Sequence, residues 1–123
     1  MPGEMHSHLP DGRVAQYHPL DDVTARRIVL LMTVLGLLFL LDILTTQEIL
    51  LRGGVELNPL MTGIVAVPAH HVLLKSGILL FIVAAAVMAE RRVQGASLFF
   101  FATIILFYSG VILNNLLVMH AVP

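Results

Sequence analysis

The chain has no cysteine and no tryptophan. Without thiols there are no disulfides, no thiolate metal sites and no cysteine nucleophile. Without tryptophan, an interfacial aromatic belt is left to Tyr17 and Tyr108, the two tyrosines present. Charge is scarce as well. Seven Lys or Arg and eight Asp or Glu amount to 12% of 123 residues, against about 25% in a typical soluble domain. A soluble fold of this size must cover a large surface with polar groups. So few charges, several of them at the ends of apolar runs, hardly supply that. A net charge of −1 offers no basic surface to nucleic acid. What is left is 58% hydrophobic, and the expected solvent is lipid.

Residues 1–23 read as a polar tail with His6, His8 and His18 and a turn at Leu9-Pro10-Asp11-Gly12-Arg13. The tail is expected outside the bilayer and partly mobile. It does not read as a signal peptide, because the apolar run behind it is late, long and lacks a small-x-small cleavage site. Asp21 or Asp22 is placed to cap a helix that begins near Thr24. Ile28 to Leu51 then forms a first span of about 36 Å at ~1.5 Å per residue. Asp42, Thr45, Thr46, Gln47 and Glu48 interrupt its second half. Arg52-Gly53-Gly54 suits a left-handed cap. Asn58-Pro59 supplies an N-cap and a first-position proline for a short apolar helix reaching Val67. At about 13 Å that helix is too short to cross a bilayer, and Pro68 closes it or kinks it into the next.

Val72 to Ala89 is the expected second span, with Lys75 in its first turns and Glu90-Arg91-Arg92 as a polar link behind it. Residues 93–123 contain no Asp, Glu, Lys or Arg, and Ala96 to Met119 serves as the third span. The fold expected is all-α: an integral membrane bundle of three transmembrane helices with one half-helix between the first two. It forms one domain over 24–123 behind the 1–23 tail.

Arg26, Arg27, Arg91 and Arg92 flank one side of these spans, against Arg52 and Lys75 on the other. The positive-inside rule then puts the N-terminus inside the cell membrane and the C-terminus outside. Depth brings the polar residues together. Asp42 falls about 21 Å from the inner edge and Asn114 and Asn115 about 27 Å from it. Lys75 lies a turn or so below the outer surface, and Glu56 and Asn58 belong to the outer loop. Polar residues from three spans and one loop thus share a level. A charge at mid-bilayer costs about 2.5–3.5 kcal/mol, so it must face protein or water. Asp42, Thr45 and Thr46 share a helix face, and Glu48 and Arg52 are spaced to pair. Lys75 is the natural partner of Asp42 or of Glu56.

Two readings of this cluster stay open: a ligand or ion site built from Asp42, Thr46, Glu56, Asn58, Lys75 and Asn114, or polar glue between helices. Glu56 can equally serve the positive end of the helix starting at Pro59. His6-Ser7-His8 and His70-His71 are imidazole pairs able to bind a transition metal, though neither has a metalloprotease spacing. Ala84-Ala85-Ala86 offers a close-packing or oligomer face. Gly77 to Met88 and Phe99-Phe100-Phe101 read as lipid-facing or packing surface.

Leu41-Asp42-Ile43-Leu44-Thr45-Thr46, followed by Gly53-Gly54-Val55-Glu56-Leu57-Asn58-Pro59-Leu60-Met61, resembles a family of small prokaryotic integral membrane proteins defined as a domain of unknown function. Its pattern is an Asp and a Thr in the first span, Gly then Glu-x-Asn-Pro in the next loop, and a Lys in the following span. Asp42, Thr46, Glu56, Asn58, Pro59 and Lys75 match it, within a resemblance covering roughly residues 30–119. The resemblance implies that these residues form a shared site or a shared structural core, and it names no activity.

Three functions compete. One is a structural or accessory membrane protein that self-assembles or joins a larger complex. The second is an oligomeric ion or small-solute pathway, since a short broken helix beside polar residues is a transporter-like feature. The third is a membrane enzyme with Asp42 or Glu56 as base, which no nucleophile motif, metal triad or phosphate loop supports. The sequence names no cofactor, and the bilayer is its one evident partner.

Overall fold

The computed structural model describes residues 18–121. The His6-Ser7-His8 pair, Tyr17 and the turn at 9–13 lie outside the described residues. Four helices follow in order: α1 Asp22–Leu51, α2 Pro59–Val65, α3 Pro68–Arg92 and α4 Ala96–Ala121. Three of them, at 30, 25 and 26 residues, are long and apolar enough to cross a membrane. The chain is accordingly an all-helical membrane protein.

Local chemistry sets each boundary. Asp21 is the N-cap of α1, its carboxylate accepting the Thr24 N–H at 2.7 Å. That bond holds the Asp21 carboxyl below the usual carboxylate range. At the other end Gly53 N–H donates to Leu50 O and Gly54 N–H to Ile49 O, the paired bonds of a Schellman cap. The two glycines have different reasons. Gly53 takes φ +87°, whereas a Cβ on Gly54 would lie 2.8 Å from the Ile49 carbonyl oxygen.

Asn58 caps α2, its Oδ1 accepting Leu60 N–H, with Pro59 in the first turn. The helix stops at Val65, two residues short of the expected Val67. Pro68 follows that end, with Val67 extended ahead of it, and its fixed φ starts α3 in a first-turn position where the missing N–H costs nothing. The carbonyl of Val65, at the end of α2, is taken by the Gln47 side-chain amide at 2.8 Å, which ties α2 to α1. Starting at Pro68 also sets Lys75 about two turns into its helix, deeper than the Val72 start implied.

Glu90-Arg91-Arg92 is a correction. These residues are the last turn of α3, not a link, and Glu90 is buried. Contacts fix the directions of the long helices. Arg27 near the start of α1 meets Glu90 at the end of α3, while Arg52 past the end of α1 reaches the Met119 carbonyl in α4. So α1 and α4 run parallel, and α3 runs antiparallel to both. The core is the seam of Ile28, Leu35, Phe39, Ile82, Ala86 and Phe101. Within Phe99-Phe100-Phe101 the roles divide, since Phe101 is fully buried and Phe99 is 78% exposed. Large apolar side chains are exposed along all three long helices, as a lipid-facing surface requires.

Candidate functional site

Asp42 is the centre of a buried polar cluster. It lies five turns into α1, facing α3 and α4. Lys75 of α3 approaches to 2.7 Å between Nζ and Asp42 Oδ2, and both side chains are under a tenth exposed. The other carboxylate oxygen accepts from Asn115 Nδ2 of α4 at 3.2 Å. One carboxylate therefore joins all three long helices.

The surrounding groups complete the arrangement. Thr45 Oγ donates to the Leu41 carbonyl at 2.8 Å. Its proton is thus spent on the backbone, leaving its oxygen to accept from Asn115 Nδ2 at 2.9 Å. Thr46 Oγ lies at the edge of this contact, 3.5 Å from the same nitrogen. The Lys75 ammonium also donates to Tyr108 OH at 3.2 Å. It stands 4.6 Å from the Tyr108 ring centroid and 5.2 Å from that of Phe39, within range of cation–π attraction. Phe39 and Tyr108 pack against each other at 4.6 Å and so present two aromatic faces to one cation. The cluster carries one negative and one positive charge.

His71 sits one turn before Lys75 on the same face of α3 and is 1% exposed. Its Nε2 is 3.9 Å from Asp42 Oδ2, too long for a hydrogen bond. Its Nδ1 is buried without a partner. His70 is exposed, so the adjacent imidazoles point to different environments. Among the described residues, no group of three or more His, Cys, Asp or Glu is placed to hold a metal.

The remaining sequence candidates lie elsewhere. Glu56 does not meet Lys75; it accepts the Asn58 backbone N–H at 2.9 Å. Asn58 is the α2 cap. Of the two asparagines, Asn115 enters the cluster and Asn114 turns away. Asn114, Asn115, Thr46, Glu56 and Asn58 all line a cavity of about 500 Å³ at the Leu51 end of the bundle. Glu48 and Arg52 pair at 2.7 Å on the surface beside it.

A second buried polar group lies at the opposite end. Glu90 accepts from Gly95 N–H at 2.9 Å, Ser97 N–H at 2.8 Å and Ser97 Oγ at 2.5 Å. Arg27 approaches it to 3.4 Å. A side chain from the last turn of α3 thus caps the first turn of α4 and holds α1 against both. The sequence reading missed it, along with His71 as part of the Asp42 cluster, Tyr108 and the Gln47 tie. Spacing carries a signal for some of these. His71 and Lys75 are four apart, and Tyr108 and Asn115 are seven apart, so each pair shares a face. No local rule links Glu90 to a serine seven residues ahead.

The chain belongs to the family described as a domain of unknown function (DUF5658), whose model matches residues 33–121. That span includes Asp42, Lys75, Glu90 and Asn115. No curated protein and no solved structure matches the chain.

Proposed function

We propose that this is a structural or accessory multi-pass membrane protein in which the Asp42 cluster locks three spans into one arrangement. The observation that carries the reading is the closure of the cluster. Asp42 answers both a cation and an amide from two other helices, so its charge is countered and each of its oxygens has a partner within the fold. A carboxylate that serves as a transport ligand or a general base needs charge and acceptor capacity within reach of its guest. Asp42 has its best oxygen occupied at 2.7 Å. The exposed apolar faces of α3 and α4 are the surfaces through which the chain self-assembles or joins a larger complex. We place the N-terminus inside and the C-terminus outside the cell membrane, with Arg26, Arg27, Arg91 and Arg92 on the inner side.

An oligomeric small-solute pathway is the second reading. It is favoured by the way the cavity reaches Thr46 and Asn115 at the edge of the cluster. One experiment separates them. The wild type and Asp42→Asn are reconstituted in liposomes and cation flux is measured, with stability followed in parallel. The structural reading expects no flux above empty vesicles and a less stable variant. A variant that folds and assembles normally but loses a wild-type flux would overturn it.

A further inference from the structure

The cavity at the Leu51 end has a chemistry of its own. It lies between α1, α4 and the loop before α2, and among the described residues Glu56 is the one charged residue in its lining. Among the described residues, no cation in that wall balances Glu56. Lys75 is committed to Asp42, and the nearby Arg52 is committed to Glu48 and the Met119 carbonyl. The cavity is therefore net negative.

Its acceptors are only partly used. Glu56 spends Oε1 on the Asn58 N–H, and among the described residues Oε2 has no bond. Asn115 donates through Nδ2 into the cluster, which leaves its carbonyl oxygen without a bond among the described residues, and Asn115 also lines the cavity. Asn114 lines the same wall and makes no side-chain bond among the described residues. Ile49, Leu57 and Val118 supply apolar walls between these oxygens. One carboxylate with neutral amides is a poor site for Ca²⁺ or Mg²⁺, which demand a dense shell of oxygens. A group with several N–H donors, one positive charge and an apolar body matches it better. A primary ammonium has three donors and one charge, and an alkyl chain suits the walls.

We infer that this cavity binds a primary alkylammonium group, carried either by a free amine or by a lipid headgroup. Glu56 Oε2 supplies the countercharge, and the Asn114 and Asn115 amides accept the remaining N–H bonds. The site adjoins the Asp42 lock through Asn115 and Thr46, but neither Asp42 nor Lys75 lines the cavity, and changes at Glu56 or Asn114 leave the bonds of the lock in place.

The test has two arms. In detergent micelles, thermal unfolding is followed against rising butylammonium chloride, with tetramethylammonium and potassium chloride as controls. In nanodiscs, it is compared between phosphatidylethanolamine and phosphatidylcholine. Both arms are repeated with Glu56→Gln, which keeps an acceptor for the Asn58 N–H and removes the charge, and with Asn114→Ala. A saturable stabilisation by butylammonium identifies a free amine. A gain confined to phosphatidylethanolamine identifies the headgroup. In either case Glu56→Gln weakens the apparent affinity roughly tenfold or more, the scale of one lost charge-assisted bond, and Asn114→Ala weakens it less. The inference is overturned if neither arm responds, if tetramethylammonium or potassium protects as well as butylammonium, or if folded Glu56→Gln responds like the wild type.

Discussion

If Asp42 and Lys75 hold the bundle together, removing both must cost less than the two single removals combined. The charges are 2.7 Å apart, an attraction of about 6 kcal/mol at an effective dielectric constant of ~20. Desolvating the two ions offsets most of this, so the pair's net worth is small, but breaking it is not. Asp42→Asn leaves an ammonium that is 8% exposed with no countercharge, held by Tyr108, two ring faces and a neutral amide oxygen, and should cost about 3–5 kcal/mol. Lys75→Met leaves the carboxylate with Asn115 alone and should cost a similar amount. The double variant buries no charge, and the expected coupling energy is about 2–3 kcal/mol. An ordinary interhelical hydrogen bond in a membrane averages about 0.6 kcal/mol in such cycles, which sets the threshold. The natural absence of cysteine makes the assay simple. Dyes on Val23→Cys and Val93→Cys, both exposed and near the same end of the bundle, report separation of α1 from α3 as dodecyl sulfate is titrated into mixed micelles. A coupling at or below that of an ordinary hydrogen bond would refute the lock.

Four further outcomes follow from the same geometry. Glu90→Gln removes the charge that draws three donors from the start of α4 and should cost about 2–4 kcal/mol in the same titration, with Ser97→Ala costing about 1 kcal/mol. His71→Phe removes a buried unpartnered ring nitrogen, so it should be neutral or stabilising by up to about 1 kcal/mol; a large loss of stability would show that the imidazole has a partner that matters. Gly53→Ala forces a side chain into the left-handed region and should cost about 1–2 kcal/mol, read from the unfolding midpoint. Asp21 has its carboxyl pKa lowered by its bond to Thr24. The stability this contributes is present above the ordinary carboxylate pKa and is lost as pH falls through the lowered one. The Thr24 amide resonance should therefore move with acid titration in the wild type and stay fixed in Asp21→Asn.

Most of the architecture was written in local pattern. Apolar runs of spanning length, Asp21 before α1, Gly53-Gly54 after it and Asn58-Pro59 before α2 each act over a few residues, so each could be read directly. That Asp42 and Lys75 share a polar level was legible for another reason: depth along antiparallel spans is simple arithmetic, and a buried charge must find a partner. Rotation was not legible. Which of Asn114 and Asn115 faces α1, and whether Glu56 or Asp42 receives Lys75, depends on how helices roll against each other. Adjacent residues differ by about 100° around a helix, and the sequence shows no polar stripe wide enough to fix that roll. Glu90 was misread because charge beside Arg91 and Arg92 looks like a solvated turn. Two of its partners are backbone N–H groups at the start of the next helix, and those carry no letter in the sequence.

The Asp42 cluster also imposes an order on how the protein is made. Asp42 leaves the ribosome first, within a helix already apolar enough to enter the membrane. At about 5–20 residues per second, Lys75 trails it by roughly 2–7 s. Asn115 comes 73 residues behind Asp42, the last of the three to arrive. Until Lys75 arrives the first helix holds a carboxylate with no mate. It must linger at the insertion machinery or stay shallow for that time, and the cluster is complete only when the third helix brings Asn115. Maturation of this small protein is thus paced from its C-terminal end, and a chain truncated before Asn115 should remain within reach of membrane quality control.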